Sequence, residues 1–359
     1  MQTYYIIRMT YKKKKSTGKI ILTIALTLVA VAGIGGFMIY QYFHSPNVDL
    51  KSKKETYLYV YSDWKYEDLV NYLDHNSLLK NINSFKWLAE QKKLPKKLKP
   101  GRYKLTENLS SNDLVNMLRS GLQEPVRITL HDIRTKAILA GKIGGKIEAD
   151  SIAIFDILND ESTIKEIGFT TDNIIAVFIP NTYEFNWNTS AKELLSRMMK
   201  EHKKFWNQER KSLAAEIALS PAEVSTLAAI VQEETTVESE KPIVAGVYLN
   251  RLKIGQTLDA DPTLKFALGD FAIKRVLNKD KKVESPYNTY IHAGLPPGPI
   301  CMPDASSIDA VLHYQHHKYI YFCAKPDFSG KSNYAVTFAE HKKNAREYGK
   351  WLDKIGIKR

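Results

Sequence analysis

An α+β fold behind one N-terminal membrane-spanning helix is the architecture that this 359-residue chain predicts. Three observations carry the prediction. No charged residue occurs from Ile20 to Phe43, a stretch long enough to cross a hydrocarbon core of about 30 Å. Beyond it, short β-branched and aromatic stretches are interleaved with longer segments of helical period. The 44% hydrophobic content, over this length, suffices for two domains that each bury their own core.

The apolar run divides the N-terminal region into a basic tail (1–19), a span (20–43) and a linker (44–55). Lys12 to Lys15 precede the span directly, so the positive-inside rule keeps the tail in the cytoplasm and sends everything after about Ser45 outside. A cleaved signal peptide is the competing reading, but its apolar core would be unusually long and no small-x-small site follows it. Both readings leave the bulk of the chain extracytoplasmic. Of the net charge of +13, Arg8, Lys12 to Lys15 and Lys19 supply six, leaving +7 on the remainder. That excess suits a cell-wall polymer or a membrane surface, and no RNA- or DNA-binding motif argues for nucleic acid. Cys301 and Cys323 are too few for a disulfide framework and lack metal-ligand spacing, so they read as core residues or one optional bridge. His313, His316 and His317 have no Cys or H-E-x-x-H companions, and no metal or other cofactor is expected.

The polar, lysine-containing composition from Ser45 to Glu55 is that of a linker. Tyr57 to Tyr61 then predicts a strand, Lys65 to Leu73 and Ile82 to Gln91 two helices, Pro100-Gly101 a turn, and Arg102 to Leu105 a returning strand. Ser111 to Leu118 predicts a further helix, with Asn112 or Asp113 near its start and Gly121 just past its end. This strand–helix–helix–strand order with a P-G-x-Y-x-L return resembles the LysM-like domain, which would imply affinity for N-acetylglucosamine polymers. A spacer module without sugar affinity stands beside that reading for residues 56–122.

Residues 123–359 form the larger domain. Arg127 to Leu130 predicts a strand, and 136–164 alternates helical patterns with turns at Gly141, Gly144 and Gly145. Ala176 to Pro180 predicts a strand followed by a turn that holds Asn181, Tyr183 and Glu184 at the strand end. Lys192 to Ala218 is helical. The next helix is the most sharply delimited, since Ser220 is a good N-cap, Pro221 suits the first helical position and Glu223 completes an S-x-x-E capping box. Phased at 100° per residue from Glu234, Leu227 lies at about 20°, Ile230 at about −40°, Val231 at about 60° and Val224 at about 80°. Glu234 therefore falls within the apolar stripe, Glu233 on its flank and Gln232 opposite. A carboxyl in that position has a raised pKa and can protonate a leaving group; an ordinary ion pair with a nearby Lys or Arg is the alternative.

Two polar clusters follow, Asn250-Arg251-Leu252 at the end of a helix and Leu258-Asp259-Ala260-Asp261-Pro262-Thr263. The segment Ser285-Pro-Tyr287-Asn288-Thr289-Tyr290 leads into Gly294-Leu-Pro-Pro-Gly-Pro-Ile300, which is too rich in Pro and Gly for helix or central strand and predicts a rigid loop. Its tyrosines offer flat faces to sugar rings, while Asn288 and Thr289 offer donors and acceptors. Surface turn packing would account for the same residues.

In order and spacing, P-N-T-Y-E-F (180–185), L-A-A-I-V-Q-E-E-T (227–235), N-R-L (250–252), D-P-T (261–263), S-P-Y-N-T-Y (285–290) and G-L-P-P-G-P-I resemble the endolytic murein transglycosylases of the YceG/MltG family. The C-terminal stretches 319–325 and 337–344 are similar to that family's last strand and helix. The resemblance implies that Glu234 is the catalytic acid and then base. Substrate would be bound through Asn181, Tyr183, Glu184, Asn250, Arg251, Asp261, Thr263, Tyr287, Asn288, Thr289 and Tyr290. It also implies cleavage within nascent glycan strands and partnership with glycan polymerases. Gln232 and Asn181 stand where many relatives carry acids, so no account needing a second acid at either position applies. A muramidase-type hydrolase using Asp259 or Asp261, and a non-catalytic wall-binding scaffold, are the competing functions.

Overall fold

In a computed structural model of the protein, which describes residues 17–51, 53–273 and 276–356, the uncharged run forms one helix, α1 (Thr17–His44). Within its Gly18–His44 stretch an 18-residue window has a mean hydropathy of 2.4 and none of it is buried, so by length and composition it suits a membrane span. Arg8 and Lys12 to Lys15 lie outside the described residues. The chain divides into two compact units, one ending at Glu124 and one beginning at Pro125.

The first unit contains β1 (Glu55–Val60), α2 (Tyr66–His75), α3 (Ile82–Gln91), β2 (Gly101–Thr106) and α4 (Ser111–Ser120). β1 and β2 pair antiparallel with Leu58 opposite Tyr103, and the buried residues of β2 alternate as a ribbon with one wet face requires. Leu58, Leu69, Leu73, Phe85, Leu105 and Leu114 close the core. The cap of α4 is Ser110, one residue earlier than the expected start: its hydroxyl accepts from the Asp113 N–H while the Asp113 carboxylate accepts from the Ser110 N–H. Gly121 ends that helix in the left-handed region, as expected (φ 77°).

The segment expected as a linker is instead packed from Asn47 to Leu50. Val48 and Leu50 are buried in the core, and Asn47 is clamped on three sides. The Asn47 amide donates to the Asn81 carbonyl (2.9 Å) and the Ser111 hydroxyl (2.8 Å), and its Oδ1 accepts from the Asn81 N–H (2.8 Å). The alternating apolar residues of this stretch, not the lysines around them, decide its conformation.

The second unit begins with β3 (Val126–Leu130), α5 (Lys136–Gly144), α6 (Ser151–Ile157) and α7 (Glu161–Glu166), followed by β4 (Asn181–Phe185), which pairs antiparallel with β3. The strand expected before Pro180 is displaced. Ile174–Val177 is a buried 3₁₀ turn, and the strand is the Asn181–Phe185 segment that was expected as a turn. Its alternation, with Tyr183 and Phe185 in and Thr182 and Glu184 out, outweighed the β-branched run before it, which serves as buried connection.

Helices α8 (Ala191–Phe205), α9 (Gln208–Glu216), α10 (Pro221–Glu234), α11 (Lys241–Lys253), α12 (Asp261–Leu268) and α13 (Ala305–Leu312) come next, then β5 (Tyr321–Ala324), β6 (Ser332–Ala335) and α14 (Phe338–Lys354). The predicted capping box of α10 is present at Ser220 and Glu223. Every residue from Val224 to Val231 is buried, so α10 is a central helix apolar all round, not a surface helix with one stripe. Ser225 and Thr226 tolerate that position because their hydroxyls donate to the carbonyls of Pro221 and Ala222 four residues back. Gly246 of α11 is dictated by close approach, since a Cβ there would lie 2.5 Å from the Gln315 carbonyl oxygen. The three strand pairs among the described residues are separate two-stranded antiparallel ribbons set among helices, a mixed α and β architecture.

Candidate active site

Glu234 ends α10 at the floor of a cavity of about 350 Å³, with Tyr248, Arg251, Leu258, Asp259, Asp261, Tyr290, Tyr321, Phe322, Phe338 and His341 around it. Tyr248, one turn before Arg251 on α11, donates its hydroxyl to Glu234 Oε1 at 2.7 Å. Desolvation raises the Glu234 pKa to about 7 from the ordinary 4.5. The nearby Asp261 carboxylate pushes the same way, while the Tyr248 hydrogen bond and the Arg251 and Lys265 cations pull it back. Burial also lifts the Tyr248 phenol well above its usual range, so it remains a donor.

The three polar residues closing α10 have different surroundings. Gln232 is partly buried and engaged: its Oε1 accepts from the Asp304 N–H (2.7 Å) and the Ser307 hydroxyl (3.0 Å), tying α10 to the start of α13. Glu233 is ion-paired with Arg134 at 2.8 Å. Among the described residues Glu234 makes no such pair, and the cations near it are outweighed by burial.

Of the residues expected to bind substrate, the cavity collects Arg251, Asp261 and Tyr290. Arg251 is buried, donating to the carbonyls of Ile320 (2.7 Å) and Leu258 (2.6 Å), with Asp259 Oδ2 at 3.7 Å. Tyr290 donates to Asp261 Oδ1 at 2.5 Å across the mouth. Four others lie behind the wall with their hydrogen bonds already made. Thr263 and Thr289 share a hydroxyl contact of 2.8 Å, and Thr289 also accepts from the Ala260 N–H. Asn288 donates to the Lys281 and Val283 carbonyls and folds the loop on itself. Asn250 donates to the His317 and Tyr319 carbonyls. Tyr287 packs on Phe266 at a ring separation of 4.6 Å, against the core.

Asn181, Tyr183 and Glu184 do not line this cavity. Tyr183 is buried and donates to the Ile179 carbonyl (2.6 Å), Asn181 accepts from the Thr182 N–H, and Glu184 pairs with Arg127 on the exposed face of the β3–β4 ribbon. His317 is a packing residue, with Nδ1 accepting from the Tyr319 N–H and Nε2 donating to the Ile243 carbonyl. Cys301 and Cys323 are both free thiols, Cys301 buried.

Sequence reasoning missed Tyr248, Tyr321, Phe322, Phe338 and His341. Tyr248 sits in an apolar helical run where a core aromatic looks the same. Its spacing of three from Arg251 was the available signal, because i and i+3 share a face. The other four come from β5 and the first turn of α14, where Tyr321 stacks on His341 at 5.3 Å and Phe322 meets Tyr248 edge-on at 6.0 Å. No local pattern announces a contact over such sequence separation. Burial, followed by the Arg251 charge, lowers the His341 pKa.

A carboxyl with a raised pKa at the floor of a cleft with several aromatic side chains on its wall is an arrangement that can exchange a proton with a bound ligand. The family model described as the YceG-like family matches residues 58–347, and the chain belongs to that family. It is similar to the endolytic murein transglycosylase of Bacillus subtilis (strain 168), at 28% identity over 88% of this chain and 91% of that protein. It is also similar to the endolytic murein transglycosylase of Streptococcus pneumoniae D39, at 24% identity over 90% of this chain and 64% of that protein. Among solved structures, a YceG-like protein from Listeria monocytogenes shares the fold, with a TM-score of 0.53 and 24% identity over 81% of this chain and 99% of that one.

Proposed function

We propose that this chain is a membrane-anchored endolytic transglycosylase that cleaves the MurNAc–GlcNAc β-1,4 bond inside peptidoglycan strands and leaves 1,6-anhydro-MurNAc ends. The observation that carries the reading is the Glu234 carboxyl, desolvated on the cavity floor with a pKa raised to about 7. The names of the bacillary and streptococcal relatives support the substrate and the reaction class.

In this reading Glu234 gives its proton to the glycosidic oxygen as the bond to the anomeric carbon breaks. The carboxylate then takes the proton of the muramic acid 6-hydroxyl as that oxygen attacks the same carbon. No water is consumed, and the substrate supplies the nucleophile. One carboxyl therefore suffices, unlike the two-carboxylate arrangement of most glycoside hydrolases. Both roles need a pKa near the working pH. Tyr248 holds Oε1, so Oε2 is the proton-carrying atom. Tyr321 and Phe338 offer flat faces to sugar rings, and Tyr290 with Asp261 offers polar partners to their hydroxyls.

The first unit is read as LysM-like, supported by its strand–helix–helix–strand order. The span α1, with its N-terminus in the cytoplasm, would hold both units outside, where new strands and the polymerases that make them are found. Product analysis of purified peptidoglycan by mass spectrometry tests the chemistry. The wild type is expected to yield anhydro ends and Glu234→Gln about a hundredfold to ten-thousandfold fewer. Reducing muramic ends would replace this mechanism with hydrolysis through Asp259 or Asp261, and a fully active Glu234→Gln would remove Glu234 from the chemistry.

A further inference from the structure

The small unit carries large aromatic side chains where a soluble domain has no use for them. Trp87 is 52% exposed, and Tyr42 and Tyr40 on α1 are 49% and 58% exposed. The ring of Trp87 stacks on Phe43, in the last turn of α1, at 4.7 Å and 15°. Beside it, the Asn81 amide donates to the Tyr42 hydroxyl at 2.8 Å, and the Asn47 clamp joins the chain leaving α1 to Asn81 and Ser111. The unit is thus bolted to the end of the helix rather than tethered by a loose segment.

Helix geometry fixes the depth of this junction. At about 1.5 Å per residue, a hydrocarbon core of about 30 Å takes about 20 residues. Counted from Ile20, the first after Lys19, the core ends near Ile39, and the turn from Tyr40 to His44 lies at headgroup level. A groove of about 460 Å³ runs between α1 and the start of α3, lined by Phe37, Met38 and Tyr42 on the helix and by Lys80, Asn81 and Ser84 on the unit. Lys80 and Asn81 therefore stand alongside residues at the very edge of the core. Indole and phenol rings favour this layer because one end is apolar and the other hydrogen-bonds. A lysine there meets the phosphates.

We propose that the face formed by Trp87, Tyr42 and Lys80 is a membrane-seating surface, lying in the phospholipid headgroup layer of the bilayer that α1 spans, with Lys80 directed to lipid phosphate. The proposal rests on the reading of α1 as a membrane anchor and goes beyond it. The bolted junction fixes the unit only relative to α1, whereas seating fixes the depth and tilt of helix and unit together in the bilayer.

The full chain in nanodiscs of mixed phosphatidylcholine and phosphatidylglycerol, brominated near the glycerol end of the acyl chains, gives the test. The emission lost between wild type and Trp87→Phe isolates the Trp87 signal. That signal is expected to be blue-shifted and reduced by about half relative to unbrominated lipid. Met38→Trp placed in the Trp87→Phe background reports on α1 itself. Quenching of both reporters supports seating. If the Met38→Trp reporter is quenched while the Trp87 signal is water-like and unquenched, the anchor stands and seating is overturned, leaving that face to a protein partner or a second copy. If neither is quenched, the anchor reading fails and the proposal falls with it.

Discussion

The floor and the rim of the Glu234 cavity are built on opposite principles. On the floor, Tyr248, Arg251 and Leu258 are buried, and the polar groups among them already have protein partners. On the rim, Tyr321, Phe338, His341, Tyr290 and Asp261 come from separate segments, and all keep some exposure; Phe338 is 55% exposed. A floor whose polar groups are already satisfied can hold a carboxyl at a raised pKa because burial disfavours its charged form. An open rim can offer faces and hydroxyls to a ligand because they are not consumed by the fold. Under the proposed function, the difference would give chemistry to the floor and grip to the rim.

The floor is most directly broken at Arg251. Arg251→Met keeps much of the volume but orphans the Ile320 and Leu258 carbonyls and leaves Asp259 without its cation. It is expected to cost about 3 kcal/mol or more in chemical denaturation, with loss of activity following loss of fold. A cost below about 1 kcal/mol would mean that the floor is not held by this residue.

Glu234→Gln should do the reverse to stability. The wild-type carboxyl binds its proton more tightly folded (about 7) than at the ordinary value of 4.5, so wild-type stability falls as pH rises through that window. The amide carries no charge to desolvate. At pH 8 the variant should be more stable by up to about 3 kcal/mol, and the advantage should vanish below about pH 4.5. Paired thermal melts from about pH 4 to about pH 8 measure it, and a difference independent of pH would contradict a desolvated carboxyl.

Tyr248→Phe tunes the floor without dismantling it. The lost hydrogen bond favoured the ionised form, so the Glu234 pKa should rise and the basic limb of kcat/KM should move up by about one pH unit, about 1.4 kcal/mol. An unchanged limb would show that the tyrosine does not act on the carboxyl. On the rim, Tyr321→Leu keeps apolar bulk but removes the flat ring, and should raise KM about fivefold, about 1 kcal/mol, with kcat nearly unchanged. A fall in kcat at constant KM would place Tyr321 with the floor and erase the distinction.

These regions differed equally in how readable they were. The α10 helix, its cap and the unusual setting of Glu234 followed from local rules, because Ser220, Pro221 and Glu223 announce a helix start and phase everything after it. The same reasoning misjudged Gln232, since a helix buried on all sides has no face that is out. Thr263, Asn288 and Thr289 sit close to the cavity in sequence, yet spend their hydrogen bonds shaping the loop. Asn181, Tyr183 and Glu184 were expected at the site from a motif of their own, but β4 commits that motif to pairing with β3.

By itself the sequence determined what short-range physics controls: the apolar span, the capped helices, most ribbons, and one carboxylate at the end of an apolar helix. Tertiary structure decided which side chains share that carboxylate's cavity. Tyr248 reaches it across a helix–helix contact, and Tyr321 and His341 from the chain's last ribbon and helix. The pKa of Glu234 depends on how much water those neighbours exclude, and exclusion of water is a property of the packed assembly rather than of any window of residues.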